Sequence, residues 1–139
     1  MLERYVLDTS ALLTLQNDEP GSDRVAELLE ASMTGAVVVF GSFMSLMEVL
    51  YRVWKSEGEA AGRAAYLGCQ ALPITWVHES AFLLELAARL KALHPMSLAD
   101  AWIAATALQC EAILVHKDPE FEPLPALMAE RLPYKVKGG

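Results

Sequence analysis

Four acidic side chains carry the chemistry this sequence can offer. Asp8 ends the apolar run Arg4 to Leu7, and Asp118 closes the run Ala112 to Val115 by way of His116 and Lys117. Glu48 and Asp100 fall where helical stretches begin, in first turns whose free N–H groups and macrodipole favour negative charge. In an open parallel sheet, ligands bind beyond the carboxyl ends of the strands, where strand ends and helix starts converge, so all four acids can face one cleft. Two carboxylates about 4 Å apart repel by ~4 kcal/mol at an effective dielectric of ~20, so such a cluster calls for a divalent cation. Ligation by oxygen alone points to Mg²⁺ or Mn²⁺ over zinc.

Each acid also has a purely structural reading. Ser45-x-x-Glu48 and Ser97-x-x-Asp100 both fit the capping box, in which the acid returns a hydrogen bond to the cap residue. Glu48 has Arg52 four residues on, an ordinary helix ion pair. Asp100 has no Lys or Arg within four residues and sits in an otherwise apolar helix, where an unpaired carboxylate is costly unless something binds it. Asp8 can serve as a turn-forming residue, and Asp118, before Pro119, as the cap of a short helix.

The elements that must position these acids follow from periodicity. Strand-like runs fall at Arg4 to Leu7, Ala36 to Phe40 (closed by Gly41-Ser42), Ile74 to Val77, Ala112 to Val115 and Tyr134 to Val136. Between them lie helical patterns. These are Ala11 to Leu15, a second helix carrying Val25, Leu28 and Leu29 up to Gly35, then Ser45 to Lys55, Glu59 to Cys69, Ser80 to Leu93 and Ala99 to Cys110, with a short helix after Pro119. The helix from Ala99 is apolar nearly all round and is expected at the centre. Strands separated by helices imply an α/β class: a three-layer α/β/α sandwich on a mostly parallel sheet with right-handed crossovers. At 139 residues and 54% hydrophobic content, the chain 1–139 reads as one domain. Trp54, Trp76 and Trp102 are expected in the core with each indole N–H partnered. Cys69 and Cys110 read as buried free thiols, and His78 and His94 as solvated or capping groups.

Four segments, in matching order over nearly the whole chain, resemble a PIN domain. They are Tyr5-Val6-Leu7-Asp8-Thr9-Ser10-Ala11-Leu12-Leu13, Met44-Ser45-Leu46-Met47-Glu48-Val49-Leu50, Ser97-Leu98-Ala99-Asp100-Ala101-Trp102-Ile103-Ala104-Ala105-Thr106-Ala107, and Asp118-Pro119-Glu120-Phe121. The closest type is the VapC-like toxin nuclease. The resemblance implies that Asp8, Glu48, Asp100 and Asp118 form the family's acidic quartet, with Ser10 the hydroxyl beside the first acid. It further implies Mg²⁺- or Mn²⁺-dependent RNA cleavage by a metal-activated water, an antitoxin protein as partner, and a homodimer. One position departs from the pattern: His116 stands where the family usually has Thr or Ser. It reads either as a phosphate donor or nitrogen ligand, or as an exposed imidazole at a strand end.

Eleven Lys and Arg against 18 Asp and Glu leave a formal charge of -7, which excludes a nucleic-acid binder that works through a broad basic surface. Backbone contacts to RNA must come from scattered cations, with Arg52, Lys55, Lys117, Lys135 and Lys137 nearest the expected edge. That balance suggests modest general affinity and selection of a folded or single-stranded target. Leu12, Leu13 and Leu15, with the apolar side of the second helix, either form a groove for a partner helix or simply pack on the sheet. The uncharged stretch Ala31 to Met47 is broken by Ser, Thr and Gly, so no membrane span is expected, and Glu3 and Asp8 spoil a secretory leader, which makes the cytoplasm the expected compartment. No P-loop or dinucleotide glycine motif is present. Two rival readings remain. A phosphoacceptor α/β domain fits poorly, because Asp8 is followed by Thr9-Ser10 and not by a second acid. The alternative that stands is a non-catalytic PIN-like module that binds RNA or protein.

Overall fold

The computed structural model describes residues 2–117, 121, 124 and 126–133. Their order is β1 (Glu3–Leu7), α1 (Thr9–Gln16), α2 (Ser22–Met33), β2 (Val37–Ser42), α3 (Phe43–Glu57), α4 (Glu59–Gln70), β3 (Thr75–Val77), α5 (Ala81–Leu93), α6 (Leu98–Gln109), β4 (Ile113–His116) and β5 (Ala129–Arg131). The strands form one sheet in the order β3-β2-β1-β4-β5, and every pairing is parallel. β1 lies at the centre, with Tyr5 opposite Val39 on β2 and Ile113 on β4.

A central strand with side chains alternating at period two must fill both faces, and β1 does so. Tyr5 and Leu7 join Val39 and Val115 in a core with Leu12, Val25, Leu28, Val49 and Val53 from α1, α2 and α3. Val6 joins Leu114 in the opposite core with Leu83, Leu90, Ile103, Ala104 and Ala105 from α5 and α6. This is the expected three-layer sandwich. Small residues let α6 lie close to the sheet, and its one buried hydroxyl, on Thr106, donates to the Trp102 carbonyl at 2.8 Å. Among the described residues no helix is long and apolar enough to cross a membrane.

Several expectations need correction. Gly41 and Ser42 belong to β2, and α3 starts at Phe43 with no intervening loop. Trp76 explains the glycine: a Cβ on Gly41 would stand 2.4 Å from its Cζ3, so the ring on the neighbouring strand occupies the space of a side chain. Ser42 is the N-cap of α3, accepting from the Met44 N–H at 3.2 Å, because the extended strand geometry ends there. Ser45 is therefore no cap, and Glu48 stands in the second turn, not the first. Trp54 is 41% exposed and covered on one side by the Arg63 guanidinium, 5.6 Å from the ring, because it points away from the sheet. Trp76 and Trp102 are half-buried, and the Trp76 Nε1 has no hydrogen-bond partner among the described residues. The strand expected at Tyr134 to Val136 lies outside the described residues, as does most of the short helix; the fifth described strand is Ala129–Arg131. Cys69 and Cys110 are buried free thiols.

Candidate functional site

The carboxyl edge of β1 is built by local rules. Asp8 leaves the strand in extended geometry and caps α1, its Oδ1 accepting from the Ala11 N–H at 2.9 Å. Ser10 Oγ donates to the same oxygen at 2.6 Å and accepts from the Lys117 N–H at 3.0 Å. This serine ties the first acid to the end of β4, the neighbouring central strand. Asp8 is 4% exposed, and the turn and cap satisfy its Oδ1 but not the cost of burying its charge.

Thr9 links this acid to the next. Its Oγ1 donates to Glu48 Oε1 at 2.6 Å and lies 3.0 Å from Ser45 Oγ, and all three residues are buried. Since a hydroxyl has one proton, Ser45 supplies the donor in the longer contact. The other Glu48 oxygen accepts from Arg52 Nη2 at 3.1 Å, the helix pair that spacing anticipates. Thr9 and Ser45 are site residues that the sequence does not flag. The available signal is only that a hydroxyl follows a strand-end Asp and another precedes Glu48 by three.

Asp100 is the third residue of α6, where its backbone N–H is capped by Ser97 Oγ at 3.1 Å. Its charge reaches Arg52. Partial burial works against the Arg52 guanidinium, but the Tyr51 hydrogen bond and the charges of Glu48, Tyr51 and Asp100 outweigh it and raise its pKa. Asp8, Glu48 and Asp100 are thus linked through Thr9 and Arg52, from β1, α3 and α6. Asp118 lies outside the described residues. Among those described, no three His, Cys, Asp or Glu side chains are grouped tightly enough to hold a metal ion by themselves.

His116 does not have the exposed position that a strand-end imidazole suggests. It is 1% exposed, with its ring edge-on to Phe121 at 5.3 Å, because the last residue of β4 points to the same covered face as Leu114. Lys117 stands 3.8 Å from Glu19. His78 stacks on Phe43 at 6.5 Å, and His94 ends α5, its N–H donating to the Leu90 carbonyl.

The apolar groove beside α1 is built differently from expectation. Val25, Leu28 and Leu29 of α2 are consumed by the core, and the groove, about 450 Å³, runs between α1, α3 and α4, lined by Leu12, Leu15, Val53, Ala61, Ala65 and Leu72. A Cβ on Gly62 would meet the Leu50 carbonyl at 2.8 Å, so the glycine permits α4 to lie this close to α3.

Comparison with known proteins gives this geometry a context. VapBC2 of Rickettsia felis, bound to a DNA fragment from its promoter, is 25% identical with a TM-score of 0.72, over 94% of this chain and 99% of that one. The DNA-bound VapBC of Salmonella typhimurium is 20% identical with a TM-score of 0.73, over 94% and 98%. VapC20 of Mycobacterium tuberculosis, a toxin that cleaves the sarcin-ricin loop, is 23% identical with a TM-score of 0.62, over 79% and 86%. The last two speak for the fold. No curated protein sequence matches the chain. The family model of the PIN domain matches residues 5–127, from the first core residue of β1 to the segment before β5. With its parallel sheet order, its acid-bearing edge and that match, the chain belongs to the PIN domain family.

Proposed function

We propose that this chain is a divalent-metal-dependent endoribonuclease and the toxin of a toxin–antitoxin pair. Asp8, Glu48, Asp100 and Asp118 form its acidic set. The observation that carries the reading is the buried link Asp8, Thr9, Glu48 at the carboxyl edge of the sheet. Thr9, the residue that follows Asp8, donates its hydroxyl to Glu48, and the charge of a third acid, Asp100, acts on Arg52, the cation paired with Glu48. An all-oxygen donor set of this kind fits Mg²⁺ or Mn²⁺. When bound, the ion would supply an activated water and neutralise charge developing on the phosphate. The chain's own residues do the positioning. Ser10 and the Ala11 N–H orient Asp8, Thr9 and Arg52 orient Glu48, and Ser97 fixes the helix turn that presents Asp100. His116, buried on Phe121, supports the end of β4 that leads to Asp118.

The similar VapBC structures support an antitoxin as partner, and the groove between α1, α3 and α4 has the apolar lining that an amphipathic helix requires. A homodimer acting in the cytoplasm completes the proposal.

Labelled RNA incubated with the purified protein and Mn²⁺, with EDTA, and with the Asp100→Asn variant tests the reading. Cleavage that requires Mn²⁺ and falls by two orders of magnitude or more in the variant is expected. Cleavage indifferent to both changes would reject a metal nuclease, and RNA binding without cleavage under any condition would make the chain a non-catalytic module.

A further inference from the structure

Two helix ion pairs of this chain share one spacing and differ in their settings. Arg63 and Glu59 meet at 2.8 Å on α4 with both side chains more than half exposed, the ordinary solvated pair. Arg52 and Glu48 meet at 3.1 Å on α3, but there the carboxylate side chain is 8% exposed and the guanidinium side chain 47%. Only the Arg52 end of this pair opens to water. The charge of Asp100 acts on the same guanidinium, so one cation serves two of the acids at the carboxyl edge of the sheet. Arg52 thereby offsets part of the cost of burying the Glu48 charge.

Neither oxygen of Glu48 is idle. Its Oε1 accepts from Thr9 at 2.6 Å, between two buried residues, and its Oε2 accepts from Arg52 Nη2. The two donors respond differently to a further cation. Thr9 opens α1 and carries no charge for an arriving ion to repel. Arg52 carries a full charge on a long side chain that can turn to water. Each carboxylate oxygen has a second lone pair, so valence does not bar a metal ion, but charge does. A divalent ion on Oε2 would stand roughly 5 Å from the guanidinium, where repulsion between the two costs on the order of tenfold in affinity even at the dielectric of water.

We propose that Arg52 is the resident counter-ion of the acidic edge: it holds Glu48 Oε2 in the metal-free protein and gives up that oxygen when a divalent ion enters, so that it sets how tightly the edge takes metal. The inference rests on the metal-nuclease reading and adds a control to it. Thr9 keeps Glu48 oriented when Arg52 leaves, because its bond to Oε1 joins two buried residues and involves no second charge. Arg63 has no such part, since its partner Glu59 is solvated.

Mn²⁺ binding without RNA is titrated by electron paramagnetic resonance of the free ion, for the parent, Arg52→Gln and Arg52→Lys. Arg52→Gln loses the charge and keeps a polar amide, and it should bind Mn²⁺ about tenfold tighter than the parent, while Arg52→Lys keeps the charge and should stay within about threefold. A guanidinium that merely holds Glu48 in place for the metal gives the opposite sign, so weaker or equal Mn²⁺ binding by Arg52→Gln overturns the proposal. The parent supplies a second reading that needs no variant to fold. In its nuclear magnetic resonance spectrum, exchange of the Arg52 guanidinium protons with water should speed up severalfold as Mg²⁺ is added to saturation, and that of Arg63 should not change. A parent that takes up metal with Arg52 exchange unchanged removes only the counter-ion role, whereas a parent that takes up neither ion removes the metal-nuclease reading as well.

Discussion

Thr9 Oγ1 donates to Glu48 Oε1 at 2.6 Å across 39 positions of sequence, both residues buried. This bond joins the end of the central strand to the second turn of α3 and sets where one oxygen of a buried carboxylate points. Removing the hydroxyl at constant shape leaves that oxygen without its closest donor. Thr9→Val should cost about 1–3 kcal/mol, measured by urea unfolding, while Thr9→Ser should stay close to the parent. Equal stability of the valine variant would mean that water or Ser45 replaces the threonine without loss.

Asp100 is expected to behave unlike a structural cap. The hydrogen bond at its helix start uses its backbone N–H, which Asn retains, and Ser97 is the acceptor. In EDTA, Asp100→Asn should therefore melt close to the parent, since the attraction to Arg52 that it gives up joins partly exposed charges and is worth about 1 kcal/mol or less. Excess Mn²⁺ should raise the parent's melting temperature and leave the variant's unchanged. A variant strongly destabilised without metal would assign the carboxylate to the fold.

Gly41 and Trp76 form a lock on the edge of the sheet. Gly41→Ala places a methyl group 2.4 Å from Trp76 Cζ3 and 2.7 Å from Cε3, so the ring must move or the strands must part. A loss of about 1–3 kcal/mol is expected. Combining it with Trp76→Leu should recover part of that loss, because the two positions share one space.

The thiols should be inert in the folded protein. Burial pushes the Cys69 thiol up to about 11, and it raises that of Cys110 too, with the Arg4 charge opposing. At pH 8 only about one Cys69 in a thousand is a thiolate, the form that reacts. Both cysteines should resist a disulfide reagent at pH 8 in the native state and react fully in denaturant. Rapid native labelling of Cys69 would show that the groove between α1 and α4 opens.

The sequence by itself determined the layers and the first acid. Alternation in β1 sends Tyr5 and Leu7 to one side and Val6 to the other, helical spacing marks α2 and α5 as the cover, and the apolar content of α6 on nearly all sides marks it as buried. Asp8 is legible for the same reason: its cap involves Ala11 and Ser10, within one turn of chain. Such patterns report on neighbours a few residues away, because they arise from backbone geometry repeated along the chain.

Tertiary structure decided the rest. Ser42 and not Ser45 caps α3 because β2 runs straight into the helix, and this moves Glu48 a turn deeper. Thr9 meets Glu48, and Arg52 feels Asp100, only because crossovers bring β1, α3 and α6 to one edge. His116 is buried and Trp54 exposed against what their residue types suggest, since the face a side chain takes is set by what packs over it. Contacts between distant segments depend on strand order and register, and those are properties of the whole chain's packing that no local spacing encodes.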